Sequence, residues 1–391
     1  MVTSSVGKHH FMLMVVAFVL SVTFLWYIAI SMDSTRSLEN MALLDGTTVI
    51  RGEVNGKLVH CHNSKDAAVC LDNLNREKTI LWLGNSQLHS INQISPGDQP
   101  ASALLHERAR GTDNYVLTFS QANANLQEHL LLLSYLNAKV AVDTLILPVF
   151  FDDLRETGVR TSIMDFFKGQ EISAESTDFF KSLINAPKAS AQFDEINDDN
   201  VRQASPIVDL DILEGTPQKI VEGYLGSGLS RFSTVWKEQG EIRGRLLVNL
   251  YKLRNFFLGI TASSVRKSIP SRYEKNMQAL SEILTLTNKN QIRTFVYIPP
   301  LRDDYNRPYD LAEYNNFKAE VKALTVAKMA NFADLESLVP NRLWGMKGST
   351  GFNADSDVEL DFMHFQMGGH ELLADKIFSL ISDESELRER L

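Results

Sequence analysis

Short apolar runs alternate with longer amphipathic segments between residues 78 and 385. The runs predict strands and the amphipathic segments predict helices, because the two patterns repeat with periods of about 2 and 3.6 residues. The predicted strands are 79–83, 114–118, 144–151, 293–298 and 332–335. The predicted helices are 127–137, 274–287, 317–329 and 370–381. Strands that alternate with helices favour an α/β domain with a mostly parallel sheet covered on both faces.

Two polar motifs lie at opposite ends of this pattern. Gly84-Asn85-Ser86 follows the first strand, and Asp361 and His364 stand three residues apart just before the last helix, on one side of a predicted turn. Ligands bind parallel sheets at the carboxyl ends of the strands, which is where Ser86 lies. A serine nucleophile needs an adjacent base, and that base needs a group that fixes its tautomer. The motifs supply all three, although Ser86 could instead cap a helix and His364 could be a core histidine.

With these motifs the sequence resembles the SGNH/GDSL hydrolase superfamily over residues 78–381. In that family a Gly-Asp-Ser or Gly-Asn-Ser turn carries the nucleophile, and an Asp-x-x-His motif precedes the last helix, which begins here at Gly369-His370. The resemblance implies a three-layer α/β/α, flavodoxin-like fold and ester chemistry through an acyl-Ser86 intermediate, with His364 as base and Asp361 as its orienter. It implies neither a metal nor a cofactor.

Two other histidines have different predicted roles. His370 follows Gly369 and is predicted to be structural, at the start of the last helix. His89 comes one turn after Ser86 and is predicted to face solvent.

The oxyanion hole departs from the family pattern. Family members take donors from the serine N–H, from a Gly after the second strand and from an Asn after the third. The Ser86 backbone N–H is retained, and Asn123 is the first side-chain candidate, followed by Ser120 or Gln121. Neither loop has its usual form, since the third strand ends in residues 148–153 with two aspartates. A slow enzyme, a degenerate domain that binds glycan or scaffolds a complex, and a non-enzymatic interaction protein with coincidental motifs all stay open.

The altered loops resemble a membrane-anchored branch of the superfamily that modifies cell-envelope polymers. The resemblance implies an acylated glycan or an acyl donor as substrate, and a membrane-bound O-acyltransferase as partner. It identifies neither the acyl group nor the glycan.

The N-terminus predicts a membrane anchor. Residues 11–31 contain no charged side chain and would form a helix about 30 Å long, enough to span a bilayer. Lys8 precedes the segment and Asp33 follows it, which leaves residues 1–10 in the cytoplasm and the soluble part outside the inner membrane. A cleaved signal peptide ending near Ser31 is the alternative. Residues 32–77 are interpreted as a stalk.

Cys61 and Cys70 are the only cysteines of the chain. In an oxidising compartment we expect them to pair and close a short loop, although two separate buried thiols would also fit the sequence. A zinc site is disfavoured despite the flanking His60 and His62, because no second pair of ligands accompanies them.

An insertion is predicted at about 152–273 within the domain 78–385. Its first part carries acidic clusters, interpreted as a solvated surface, since no loop of metal-ligand spacing supports a metal site. Residues 241–275 are basic and apolar, which is typical of a helix that packs on the domain, lies on an anionic membrane or binds a partner helix. The net charge of −9 argues against a nucleic-acid partner.

Overall fold

The structure is a computed structural model that describes residues 21, 47–49, 52–61, 70–71, 78–110, 114–121, 123–156, 158–159, 178–185, 257, 264–348 and 358–389. Nearly all of these belong to a unit made of residues 45–201, 261–349 and 355–391. A second unit comprises residues 1–44, 202–260 and 350–354, of which only Ser21 and Phe257 are described, each in a helix.

Seven strands form the central sheet, in the order β2-β3-β6-β4-β7-β8-β9. The strands of the chain are β1 Thr47–Val49, β2 Gly52–Val54, β3 Lys57–Cys61, β4 Lys78–Gly84, β5 Ser90–Asn92, β6 Asn114–Ser120, β7 Val142–Pro148, β8 Arg293–Ile298, β9 Asn331–Asp334, β10 Trp344–Gly348 and β11 Val358–Phe365. Strands β3 to β9 of the sheet are parallel, and β2 joins antiparallel to β3 at the edge. The predicted mostly parallel sheet is confirmed. Outside it, β1 pairs with β5 and β10 with β11, both antiparallel.

Helices cover both faces of the sheet. They are α1 Ser86–His89, α2 Ala101–Arg108, α3 Leu126–Lys139, α4 Asp178–Asn185, α5 Pro270–Lys289, α6 Leu311–Ala327 and α7 Met367–Glu389, with 3₁₀ turns at Asp152–Arg155 and Asn341–Leu343. Their starts are encoded locally: the Asn125 and Asp310 side chains cap α3 and α6, and Pro270 begins α5.

The period-2 alternation of β4 divides the core into two clusters. Leu81 and Leu83 pack in a cluster with residues of α3, α5 and α6, whereas Ile80 and Trp82 pack in one with residues of α2 and α7. All four side chains are buried, as expected for a central strand covered on both faces. The layers are therefore helix, sheet and helix.

Two predicted boundaries differ from the structure. The stalk assigned to 32–77 contains β2 and β3, so the sheet begins by Gly52 and not at residue 78. That strand pair was missed because it is short and Gly56 lies in a turn that looks like a linker. The surface insertion was predicted to begin at 152, yet Asp153 and Leu154 are buried. Most of the insertion lies outside the described residues.

The predicted anchor at 11–31 also lies outside the described residues, except for Ser21. Among the helices that are described, none is long and apolar enough to cross a membrane.

Candidate active site

The turn after β4 places Ser86 at the first position of α1. The Asn85 side chain accepts a hydrogen bond from Gln87 N at 3.1 Å, so Asn85 and not Ser86 caps this helix. A Cβ on Gly84 would collide with the Leu88 side chain, which explains the glycine at the end of the strand. Ser86 is half-buried. The alternative hypothesis, that the Ser86 hydroxyl caps this helix, is therefore wrong.

A serine, a histidine and an aspartate form a continuous hydrogen-bonded chain. Ser86 Oγ lies 3.0 Å from His364 Nε2, and His364 Nδ1 lies 2.9 Å from Asp361 Oδ2. The carboxylate accepts from Nδ1–H, so Nε2 carries the lone pair that faces the serine hydroxyl. The fold thus brings together three residues from two motifs that are distant in the chain, in the order that nucleophilic catalysis requires.

The sequence suggested that Asp361 and His364 lie at a turn. In the structure both residues lie within β11. Asp361 Oδ1 accepts from Met363 N at 2.8 Å and from His364 N at 3.1 Å, and the pairing of β11 with β10 shifts register at these residues. This local bonding explains the spacing of three residues. Because Asp361 accepts from the N–H groups two and three residues ahead, its carboxylate also reaches the imidazole of His364, three residues ahead.

The Asp361 carboxylate is held in its ionised form. Burial raises its pKa, but the charge and hydrogen bond of His364, the charge of Lys347 and the Met363 N–H outweigh burial and lower the pKa to about 2. The Asp361 side chain is 2% exposed and the His364 side chain 23%. A buried anion therefore orients an imidazole that is partly exposed to solvent.

Asn92 is a hydrogen-bond partner of the Asp361 carboxylate. Its Nδ2 lies 2.8 Å from Met346 O and 3.3 Å from Asp361 Oδ2, and its Oδ1 accepts from Met346 N at 3.3 Å. A Cβ on Gly345 would overlap the Asn92 side chain, so this glycine is needed for the close approach. Asn92 was missed from the sequence, where nothing local connects it to the Asp-x-x-His motif.

The loop after β6 was expected to supply oxyanion donors. Asn123, the first candidate, is exposed and has a left-handed backbone with φ 53°. Gln121 N donates to Gly84 O at 3.1 Å, which ties this loop to the serine turn. The Ser120 hydroxyl is buried and contacts two imidazoles, His60 Nε2 at 2.5 Å and His89 Nδ1 at 2.6 Å. The Asn123 role stays a prediction.

The prediction that His89 faces solvent is wrong. Its side chain is buried against Ser120, because α1 is a single turn between two strands and turns this face inward. His370 is also buried: its Nδ1 accepts from Ala101 N at 3.1 Å and its Nε2 donates to Ser90 O at 3.2 Å. Burial lowers the pKa of His370 to about 3.

Two aspartates follow β7, where the sequence resemblance led us to expect an amide. Asp152 Oδ2 accepts from Arg266 Nη1 at 2.6 Å and from the Tyr309 hydroxyl at 2.9 Å. Asp153 is buried and accepts from Asn85 Nδ2 at 3.3 Å. Burial raises the pKa of Asp153 well above its usual range, against the opposing effect of that hydrogen bond. This loop thus carries carboxylates that are already bonded.

The loop after β8 packs next to the Asp361 strand. Arg302 donates to Gly345 O at 2.9 Å and to the Asp304 carboxylate, and Tyr305 stacks on Phe362 with centroids 5.6 Å apart. The guanidinium of Arg266, from the basic stretch of the predicted insertion, lies 5.5 Å from the centroid of Phe362. Through these contacts the loop packs beside the strand that carries Asp361 and His364.

Cys61 and Cys70 form a disulfide with Cα atoms 6.5 Å apart. The bond joins the end of β3 to residue 70 and is buried in the core. Within the residues that the structure describes, no cluster of three or more His, Cys, Asp or Glu side chains could hold a metal ion.

Comparisons with known proteins give weak structural similarities. A GDSL-like lipase from Bacteroides thetaiotaomicron shares 10% identity, with 82% of this chain and 98% of that chain covered and a TM-score of 0.36. A candidate acylhydrolase from Bacteroides fragilis shares 9% identity, with 80% and 93% covered and a TM-score of 0.35. The structural neighbours are thus GDSL-like lipases and acylhydrolases, at a similarity too low to assign an activity. No protein-family model and no curated protein matches the chain.

Proposed function

We propose that this protein is an SGNH-type serine esterase or O-acyltransferase that works through an acyl-serine intermediate. The observation that carries the proposal is the chain from Ser86 Oγ through His364 to the buried Asp361 carboxylate, with distances of 3.0 and 2.9 Å. Its order and tautomer match the requirements of a serine nucleophile.

The geometry supports a two-step reaction. Ser86 Oγ attacks the acyl carbonyl carbon while its proton passes to His364 Nε2, and Asp361 stabilises the imidazolium that forms. As the tetrahedral intermediate collapses, Nε2 returns the proton to the departing alcohol and the acyl group stays on Ser86. Water then completes hydrolysis, or a glycan hydroxyl completes transfer, by the reverse proton route. Ser86 N–H, at the first position of α1, has no acceptor within the helix and can donate to the oxyanion.

The proposal extends to location and substrate class. The uncharged stretch 11–31 supports a single-pass anchor in the inner membrane with the domain outside, and the Cys61–Cys70 disulfide fits an oxidising compartment. The family resemblance of the motifs suggests acyl groups of a cell-envelope glycan as substrate, and a membrane-bound O-acyltransferase as partner.

The test uses full-length protein and a fluorophosphonate probe that reacts with activated serines. We expect a stoichiometric adduct on Ser86, and hydrolysis of p-nitrophenyl acetate that disappears in Ser86→Ala without loss of folding. Ser134→Ala is a matched control, because Ser134 is buried on α3 and donates to a carbonyl of its own helix, Leu130 O, at 2.8 Å. Equal turnover by wild type and Ser86→Ala would overturn the assignment.

A degenerate domain that binds glycan or scaffolds a complex is the second candidate. The observation that favours it is the loop after β7, where Asp152 and Asp153 are bonded carboxylates instead of a free amide donor. Under this alternative the probe leaves Ser86 unlabelled at every pH, while acylated glycan still binds to the protein.

A further inference from the structure

The strand that carries the base is not part of the sheet that carries the nucleophile. Among the described residues, β11 pairs with β10 in a separate two-stranded sheet, whereas Ser86 follows β4 at the centre of the seven-stranded one. No backbone ladder therefore fixes His364 relative to Ser86. Their 3.0 Å contact must be held by individual side-chain and loop contacts.

Gln87 makes such a contact with a single nitrogen. Its Nε2 donates to Met363 O at 2.8 Å and to Pro300 O at 2.9 Å. Met363 immediately precedes His364 and is 276 residues away from Gln87 in the chain. Pro300 lies in the loop after β8. The residue next to the nucleophile thus bonds the residue next to the base.

The orientation of the Gln87 amide follows from its partners. Both are carbonyl oxygens, which only accept, so the nitrogen and not the oxygen must face them. Gln87 is 1% exposed, and its Oε1 has no hydrogen-bond donor among the described residues. A buried acceptor without a donor is costly. The site therefore retains an unfavourable group in order to place two N–H donors at this point.

We propose that Gln87 is a positioning residue that holds His364 in register with Ser86 by clamping Met363 O and Pro300 O on one amide nitrogen. This proposal rests on the proposed function, because the register matters only if Ser86 and His364 react together. A glutamine suits the position because it offers two N–H donors on a neutral side chain. Methionine of similar length offers none, and an ionised glutamate repels both carbonyls.

The test compares Gln87→Met and Gln87→Glu with wild type and with Gln127→Met. Gln127 is the matched control, since it is equally buried at 1% exposure and its Nε2 bonds Asn276 between α3 and α5, two helices that carry none of Ser86, Asp361 and His364. Each protein is titrated with the fluorophosphonate to count reactive Ser86, and kcat and KM for p-nitrophenyl acetate are expressed per titrated serine. Molecules that have misfolded then drop out of the count.

Both Gln87 variants are expected to lose about 10- to 100-fold in kcat per titrated serine, with KM changed less than about twofold, because a misplacement of about 1 Å costs up to 10²-fold in rate. Gln127→Met should lower thermal stability and keep kcat. If Gln87 were merely structural, its variants would lower the titrated fraction and leave kcat per titrated serine unchanged, and this result would overturn the proposal. An equal loss of kcat in Gln127→Met would overturn it as well. Failure of the probe to label wild-type Ser86 would instead overturn the proposed function and this inference with it.

Discussion

The buried His370 imidazole predicts a specific acid sensitivity of the folded state. Its Nδ1 faces the Ala101 N–H, which can only donate, and its Nε2–H is used on Ser90 O. A proton on Nδ1 would set two donors against each other. The hydrogen bonds and the pKa of about 3, which burial lowers from the ordinary 6.5, both require a neutral ring.

The sign and size of the effect follow from linkage. The unfolded chain takes up a proton on this ring below about pH 6.5, whereas the folded chain does so only near pH 3, so stability is lost as the pH falls from 6.5 toward 3. Between pH 7 and pH 5 the loss attributable to His370 is about 2 kcal/mol, at about 1.4 kcal/mol per pH unit below 6.5. This figure stays the same for any folded pKa below about 4.

Urea unfolding at pH 7 and pH 5 measures this loss in wild type and in His370→Gln. Glutamine keeps a donor and an acceptor and does not titrate, so its unfolding free energy should fall about 2 kcal/mol less between the two pH values. The fluorescence of Trp344 reports unfolding near His370, because the Trp344 ring contacts Phe365 with centroids 5.4 Å apart and the Phe365 ring contacts His370 with centroids 4.5 Å apart. Other titrating groups cancel in the comparison if their effects are independent. An equal acid loss in the two proteins would refute the reasoning.

Three further predictions concern the triad, the disulfide and the N-terminus. Asp361→Asn should lower kcat for p-nitrophenyl acetate by about 10⁴-fold and His364→Ala by about 10⁶-fold, because the carboxylate only orients and stabilises the base; a silent Asp361→Asn would contradict the triad. Replacing Cys61 and Cys70 by serine should cost about 2 to 3 kcal/mol in urea unfolding, since the bond closes a short loop between cysteines nine positions apart. In the wild type both cysteines should resist alkylation until reductant is added. Full-length protein should stay with membranes after a high-salt wash if residues 11–31 are an anchor, whereas a mature N-terminus at Met32 would indicate a cleaved signal peptide.

The succession of strands and helices along the chain follows from local patterns in the sequence. The predicted strand 293–298 has the observed bounds of β8, and the helix predicted at 127–137 lies within α3. Buried strands and capped helices can be predicted from the sequence because each depends on a short stretch of chain. Gly52–Cys61 gave no such signal, since its strands are short and depend on pairing within the sheet, β2 with β3 and β3 with the distant β6.

The sequence by itself determined the chemistry of the site: which serine, histidine and aspartate are available, and where they lie along the chain. Only the tertiary structure decided their support, because Gln87 and Asn92 bond residues about 270 positions away. Such contacts depend on how β11 packs against the segment that follows β4. No local pattern encodes them, so the residues that hold the triad together can be recognised only once the chain has folded.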